Sequence, residues 1–175
     1  MDILFYITSA VAVISTIMVI TRYHAVHALL YLVVSFLSIA LIFYFAGAPF
    51  IAALEVIIYA GAIMVLFIFV VMMLNLGPRT MEQERGWTTP AIWIGPSILS
   101  AVLLVAFMTV LMNNPAEDTG LNLVGVQEVG ISLFTEYLLA VELTGLLLMA
   151  AIIGAYHLGS REKKIYHRYL EKTDQ

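Results

Sequence analysis

Residues 55–75 read EVIIYAGAIMVLFIFVVMMLN, an apolar run that opens with the carboxylate of Glu55. A helix that is apolar on every side lies either in a large protein core or in a membrane. The wider apolar run, residues 51–76, exceeds the ~20 residues that a bilayer crossing needs, so it predicts a membrane-spanning helix. Gly61 lies inside this run between two alanines, where glycine costs roughly 0.5–1 kcal/mol relative to alanine. It indicates either close packing against a neighbouring helix or a helix that is built to deform.

The whole chain has the composition of an integral membrane protein. Of its 175 residues, 62% are hydrophobic and 11% are charged, whereas soluble domains carry roughly 25% charged residues. The sequence contains no cysteine, which excludes disulfides, cysteine nucleophiles and iron–sulfur ligation. It also contains no glycine-rich phosphate loop and no basic stripe, so nucleotide and nucleic-acid binding have no support.

Long apolar runs separated by turns and charges predict an all-α, polytopic protein with one membrane domain, residues 1–160, and a polar tail, residues 161–175. Five transmembrane helices are predicted, over residues 3–21, 27–47, 51–76, 91–112 and 131–158. The first is predicted to be retained rather than cleaved as a signal peptide, because its start carries Asp2 and no Lys or Arg. The loop at 113–130 is predicted to contain either a short strand or an interfacial segment.

The basic residues predict the orientation of the helices. All eight Lys and Arg residues lie in the first loop, the third loop or the tail. With five spans, these three segments lie on the same side of the membrane. The positive-inside rule then predicts a cytoplasmic C-terminus and an N-terminus on the opposite, periplasmic face.

Most other polar residues in or beside the predicted spans are interpreted as structural. The histidines lie at span ends or outside them, which favours interfacial residues over haem or metal ligands: they are His24, His27, His157 and His167. The hydroxyl residues of the first span are predicted to pack or to bond back to their own helix: they are Thr8, Ser9, Ser15 and Thr16. Amphipathic rings favour the headgroup layer, which is predicted for Trp87 and Trp93.

Three carboxylates lie within the predicted spans, at Glu55, Glu136 and Glu142, and no Lys or Arg lies there to pair with them. An isolated ionised carboxylate is strongly disfavoured in hydrocarbon, so each must be protonated, hydrated or paired with another subunit. A rise of ~1.5 Å per residue predicts how deep each side chain lies in the membrane. Glu136 is predicted at the interface and Glu55 about one helical turn deep. Tyr59 and Glu142 are predicted to lie deeper than Glu55, at about the same depth as each other. Two interpretations stay open for Glu55 and Glu142: hydrogen bonds to partner helices, or a proton path through a water-lined cavity.

At this point a family resemblance is evident. Residues 54–75 resemble the third-helix signature of the J-subunit family of bacterial respiratory complex I, the proton-translocating NADH-quinone oxidoreductase. The segments HALLYL, EQER, IWIGPSILS and LLAVEL are similar to that family too, and the resemblance covers residues 1–160. It implies a non-redox subunit of the membrane arm in a bacterial inner membrane. The implied partners, in an obligate hetero-oligomer, are the lipid bilayer and the K, A, H and N types of subunit. The resemblance also implies that FMN, iron–sulfur clusters and quinone bind to other subunits and that this chain binds no cofactor.

In that family the third helix carries a π-bulge near the positions that match residues 59–65, and its interconversion with regular helix is linked to a water path. The depths of Glu55, Tyr59 and Glu142 make them candidates for a proton path. Gly61 is the predicted point of helix deformation, since π-bulges are often found at functional sites. Glu136 stands where some relatives have proline and is assigned no role. The chain would act in an enzyme only as a subunit, without catalytic redox residues. Two alternatives remain: a subunit that only packs the membrane arm, and an autonomous small transporter, although no inverted repeat is present.

Overall fold

The computed structural model describes residues 2–22, 25–74, 90–113 and 123–160, which are helical apart from short connections and contain no strand. In chain order, the elements are α1 (Asp2–Thr21), α2 (Ala25–Phe45), α3 (Pro49–Leu54), a π-helical segment (Glu55–Ile63), α4 (Met64–Leu74), α5 (Pro90–Asn113), α6 (Val126–Phe134) and α7 (Leu138–Gly159). The third spanning helix, residues 49–74, joins α3, the π-helical segment and α4 without a break.

Five helical stretches in the described residues are long and apolar enough to cross a membrane: Ile3–Thr21, Ala25–Phe45, Pro49–Met73, Trp93–Met112 and Leu138–Gly159. The prediction of an all-α protein with five transmembrane helices is therefore confirmed. The tail at 161–175 and the residues His24, Trp87 and His167, for which predictions were made above, lie outside the described residues.

The chain divides into two compact units, which meet in sequence between Val126 and Gln127. The first unit holds α1 to α5, and the second holds α7 and nearly all of α6. The single membrane domain expected over residues 1–160 stays a prediction, and the two units are described separately below.

Helices α1 and α2 pack against each other through small hydroxyl residues. Thr8, Ser15 and Ser38 are completely buried. The Thr8 hydroxyl donates to the Leu4 and Phe5 carbonyls, at 3.0 and 2.9 Å, and the Ser38 hydroxyl donates to the Val34 carbonyl at 2.7 Å. Hydroxyls satisfied in this way can be buried in hydrocarbon, and their small volume lets two backbones approach closely.

The hydroxyls of Thr16 and Ser35 lie 3.0 Å apart and form a direct polar contact between the two helices. Thr16 also donates back to the Ala12 carbonyl at 2.8 Å. The prediction that Thr8 and Thr16 are packing or back-bonded hydroxyls is thus confirmed. Ser15 is buried as well, but its hydroxyl has no hydrogen-bond partner among the described residues.

Helix α2 is the centre of the first unit, because α1, the third spanning helix and α5 all pack against it. The buried apolar cluster consists of Val11, Val34, Leu41, Leu103 and Ala106. These side chains come from α1, α2 and α5, so three helices share one core.

Tyr31 and Gly95 define how closely α5 approaches α2. The Tyr31 side chain is buried, and a Cβ added at Gly95 would overlap its hydroxyl. The Arg22 guanidinium carbon lies 5.5 Å from the Tyr31 ring centroid. Glycine at position 95 therefore leaves the space that the tyrosine occupies.

The connection between α2 and α3 is a tight turn. Gly47 has a φ of 83°, a left-handed conformation that glycine adopts without steric cost. The Ala48 N–H donates to the Phe43 carbonyl at 3.0 Å, and Pro49 then begins α3. The Val124 N–H donates to the Gly47 carbonyl at 2.9 Å, so the loop at 113–130 returns to this turn.

The last part of the chain differs from the single helix predicted over residues 131–158. The structure has α6 (Val126–Phe134), a break at 135–137 and then α7 (Leu138–Gly159). At the break the Tyr137 N–H reaches back to the Ser132 carbonyl at 3.0 Å, and the Tyr137 backbone, with φ −106° and ψ 17°, leaves the helical region. Helix α6 is amphipathic, which fits an interfacial segment rather than a spanning one. Residues 123–125 have no regular structure, so the alternative of a short strand is not found in the described end of this loop.

Candidate functional site

The third spanning helix changes its hydrogen-bond pattern at Glu55. The nine residues Glu55–Ile63 form a π-helix, in which each N–H pairs with a carbonyl five residues back instead of four. The predicted departure from regular α-helix is confirmed, but its limits differ from residues 59–65. The π-helical segment starts at Glu55 itself, and Met64 and Val65 already belong to α4.

Inside this segment, glycine at position 61 avoids a close contact between a side chain and the backbone. A Cβ added there would lie 3.2 Å from the carbonyl oxygen of Val56, which is five residues earlier in the same helix. In the π pattern that carbonyl is the one paired with the N–H of residue 61. No atom of a neighbouring helix in the described residues comes within 4 Å of the added Cβ. Both interpretations of Gly61, close packing against a neighbouring helix of another subunit or a helix that is built to deform, therefore stay predictions.

Met64, the first residue beyond the π-helical segment, is 1% exposed, and α4 otherwise presents mostly exposed apolar side chains. Val65, Leu66 and Phe67 directly follow it, and each is more than half exposed. The change from π to α geometry thus coincides with the position at which the helix buries the Met64 side chain in the interior of the first unit.

Tyr59 lies in the middle of the π-helical segment and contacts α2. Its ring centroid is 5.5 Å from that of Phe36, with an angle of 54° between the ring planes. This separation lies within the range of favourable aromatic pairs. The side chain is still 46% exposed, so Tyr59 has one face against α2 and one face open to whatever surrounds the first unit.

The Glu55 carboxylate begins the π-helical segment and is half-buried. It has no hydrogen bond or ion pair with any described residue. Because an unpaired carboxylate at membrane depth is unfavourable in lipid, its position favours contact with water or with a polar group of another protein.

Glu142 belongs to the second unit, in α7 (Leu138–Gly159), where no residue is buried. Its carboxylate is exposed and has no hydrogen-bond or ionic partner in the described residues. The equal depth predicted for Glu142 and Tyr59 stays a prediction, because the two residues lie in different units. Glu136 lies in the break at 135–137, outside the membrane-length helix.

His27 is a buried residue that sequence reasoning missed. We predicted an interfacial side chain, but His27 is only 7% exposed and interacts with another residue. Tyr31, one helical turn further along α2, is also buried. The spacing of four residues between His27 and Tyr31 places both side chains on one face of the helix, and this was the sequence signal for the burial of His27. The described residues contain no group of His, Cys, Asp or Glu arranged to bind a metal ion.

Comparisons with known proteins agree on one family. Residues 15–158 match the family described as NADH-ubiquinone/plastoquinone oxidoreductase chain 6. The chain is 55% identical over 165 residues to NADH-quinone oxidoreductase subunit J of Pseudomonas aeruginosa strain PAO1, a match that covers 94% of this chain and 99% of the relative. It is 49% identical to the protein of the same name from Escherichia coli strain K12, covering 93% of this chain and 89% of that one. A Buchnera aphidicola subunit J is 48% identical, with 93% of this chain and all of the relative covered.

Proposed function

We propose a function from the premise that this chain belongs to the NADH-ubiquinone/plastoquinone oxidoreductase chain 6 family. The family resemblance inferred from the third-helix residues is thereby confirmed. The proposed function is that of a non-redox subunit in the membrane arm of a proton-translocating NADH-quinone oxidoreductase. In this role the chain couples quinone reduction to proton transfer through its deformable third helix. The π-helical segment Glu55–Ile63 is the observation that carries the proposal.

The proposed division of labour places the redox chemistry in other subunits. This chain has no cysteine to ligate iron–sulfur clusters, so the clusters are proposed to bind elsewhere in the complex. By the family resemblance, flavin and quinone are proposed to bind to other subunits as well. Subunits of the K, A, H and N types are its proposed neighbours, in a bacterial inner membrane with the C-terminus in the cytoplasm. The five membrane-length helices and the exposed apolar surface of α7 support such an assembly.

The coupling step follows from the geometry of a π-helix. Conversion to α-helix shifts the register by one residue, which rotates the following helix by about 100° at ~3.6 residues per turn. Met64 would then leave its buried position, and one of the exposed side chains that follow it would replace it. A carbonyl released during this conversion must meet water or a polar group, because an unsatisfied group in lipid costs several kcal/mol. Tyr59 and Glu55 lie within the segment and can supply that polar contact.

Proton transfer is proposed to use Glu55, Tyr59 and Glu142, together with groups from neighbouring subunits. Both carboxylates lack partners in the described part of the chain, and such groups inside a membrane characteristically mark ion or proton pathways. Rotation of α4 would open or close a water path along the third helix by moving apolar side chains, which makes the third helix a gate rather than a proton carrier.

Gly61→Val tests the gate. The new side chain meets the Val56 carbonyl at the 3.2 Å position of an added Cβ, so it should shift the balance between π and α geometry. In the assembled enzyme we expect NADH oxidation with an artificial acceptor to stay near normal, while quinone-linked turnover and proton pumping fall several-fold. Ala62→Val is the matched control, since the neighbouring exposed alanine already has a Cβ. Full pumping in an assembled Gly61→Val enzyme contradicts the gate.

Glu142→Gln tests the proton path and separates it from a purely structural role. The amide keeps the size and hydrogen-bonding capacity of the side chain but cannot carry a proton. We expect pumping per assembled enzyme to fall several-fold, whereas Glu136→Gln, outside the membrane-length helix, leaves it unchanged. If Glu142→Gln instead reduces only the amount of assembled complex, the alternative of a subunit that packs the membrane arm is the better description. The absence of any buried residue in α7 is the observation that favours this alternative.

A further inference from the structure

The first unit contains a deep apolar cleft that the proposed function does not use. Its volume is about 490 Å³, well above the water-sized voids that protein interiors normally contain and within the ~300–1,000 Å³ range of ligand pockets. Helix α2, the third spanning helix and α5 line it. Every lining residue belongs to the first unit.

The lining is apolar and lies inside the membrane-spanning helices. Tyr44 and Ser100 are the only described lining residues with polar side-chain atoms. Water gains too few hydrogen bonds to fill such a space, and large empty volumes are costly in a close-packed protein. The cleft therefore requires an apolar occupant.

All three helices place the cleft in the same half of the membrane. The lining residues fall within 37–44 of α2, 49–56 of the third spanning helix and 100–111 of α5. Each range lies toward the end that meets the turn at 46–48, where the chain carries no Lys or Arg. Residues 100 to 111 of a helix rise through ~16 Å at ~1.5 Å per residue. Half of the ~30 Å hydrocarbon core is ~15 Å, so the cleft has the length of one leaflet.

The low exposure of several lining residues favours a thin occupant. Ala40, Leu41 and Leu103 are each less than a tenth exposed although they line the cleft. A helix has a diameter of ~10–12 Å with its side chains, which is too wide to reach residues covered to this degree. An extended hydrocarbon chain can reach them.

We propose that the cleft between α2, the third spanning helix and α5 binds one acyl chain of a membrane phospholipid, from the leaflet on the face without Lys or Arg. The absence of basic residues at that face means that the chain, and not the headgroup, is recognised. Tyr44, near the outer end, is positioned at the level where the acyl chain meets the headgroup layer. Val56 lines the inner end, so the bound chain contacts the first turn of the π-helical segment.

Depth-resolved photolabelling in native membranes tests this site without reference to turnover. Phosphatidylethanolamine carries a diazirine either at the end of one acyl chain or near its carbonyl. We expect the first probe to label the peptides around residues 37, 56 and 100, and the second to label those around residues 44 and 111. A pattern that does not depend on the position of the diazirine overturns the proposal.

Filling the cleft supplies the matched comparison. Ala53 lines the cleft and is exposed, so Ala53→Phe should occupy the space of the acyl chain and lower labelling at least fivefold. Ala101→Phe places the same side chain at an exposed alanine of α5 outside the cleft, and labelling should persist. If the Ala53→Phe chain fails to accumulate, Leu104→Trp, at an exposed lining residue, takes its place. Equal labelling of the filling and control variants counts against the site.

A photoreactive amino acid at position 104 distinguishes the possible occupants. Capture of phospholipid supports the proposal. Capture of another subunit, of a second copy or of α7 of the same chain shows that protein fills the cleft, and the lipid site is then wrong. None of these readouts depends on proton pumping, so failure of the lipid site leaves the proposed coupling function standing.

Discussion

Two membrane helices of similar length and composition, α2 and the third spanning helix, behave in opposite ways. Helix α2 is regular and packs against three neighbours, with eight buried residues that include serines and a histidine. The third spanning helix, residues 49–74, buries only Ala52 and Met64 among the residues whose side chains the structure describes, and it changes to π geometry for nine residues. Helix α2 therefore forms the core of the first unit, while the third spanning helix leaves most of its surface free to contact partners.

The difference arises from where each helix satisfies its polar groups. In α2 the Ser38 hydroxyl bonds to its own backbone, and Ser35 meets Thr16 of α1. In the third spanning helix Glu55 has no partner in the described chain. A helix whose polar groups are satisfied internally is held in one arrangement, whereas an unsatisfied carboxylate depends on what other subunits or water provide.

The largest effect is expected from Ser38→Phe, which should destroy the packing of α2. Ser38 is completely buried, and overpacking a tight site costs typically 1–3 kcal/mol, occasionally more. We expect at least a fivefold loss of assembled complex on native gels. Ser38→Ala, which removes the hydroxyl without adding volume, should assemble normally. Equal assembly of the two variants would mean that α2 is not closely packed at this position.

A smaller effect is expected where the two helices meet, at Phe36 and Tyr59. Aromatic pairs at this separation contribute about 0.5–1.5 kcal/mol beyond their buried area. A double-mutant cycle with Phe36→Leu and Tyr59→Leu, measured as thermal stability of the assembled complex, should give a coupling energy in that range. Additive effects of the two substitutions would show that α2 does not position the π-helical segment through this contact.

The smallest effect is expected from Thr16→Val, which removes the hydroxyl contact between α1 and α2 at nearly constant volume. Interhelical hydrogen bonds in membrane proteins average about 0.6 kcal/mol, so the complex should assemble with slightly lower thermal stability. The comparison variant is Thr21→Val, because Thr21 bonds only to its own helix, with its hydroxyl 2.9 Å from the Ile17 carbonyl. If both variants lose the same stability, the Thr16–Ser35 contact contributes nothing beyond the back-bonded hydroxyl.

Several features of the fold and of the candidate site could be predicted from local sequence. The five spans follow from the lengths of the apolar runs, since the thickness of the bilayer sets how many residues a helix needs. The irregular third helix was predictable because Gly61 marks a point where a side chain is absent, and the resemblance to a known family was carried by contiguous residues around it. The location of three carboxylates in apolar runs is likewise a property of the sequence alone.

Other features depend on distances between residues far apart in sequence or on hydrogen-bond choices that no local pattern encodes. The start of the π-helical segment at Glu55 is one example. Each backbone N–H can bond to the carbonyl four residues back, as in an α-helix, or five residues back, as in a π-helix, and the two patterns have similar local energies. Packing of neighbours such as the buried Met64 then determines which pattern forms. The break at 135–137 separates an amphipathic helix from the spanning α7, although apolar residues lie on both sides of it.

The burial of His27 and the cleft beside Val56 exist only because α1, α5 and the third spanning helix pack around α2. Hydrophobicity places a residue in the membrane, but it does not distinguish a side chain that faces lipid from one that faces protein, since both surroundings are apolar. That distinction, which separates core, cleft and partner surface in this chain, comes from the tertiary structure.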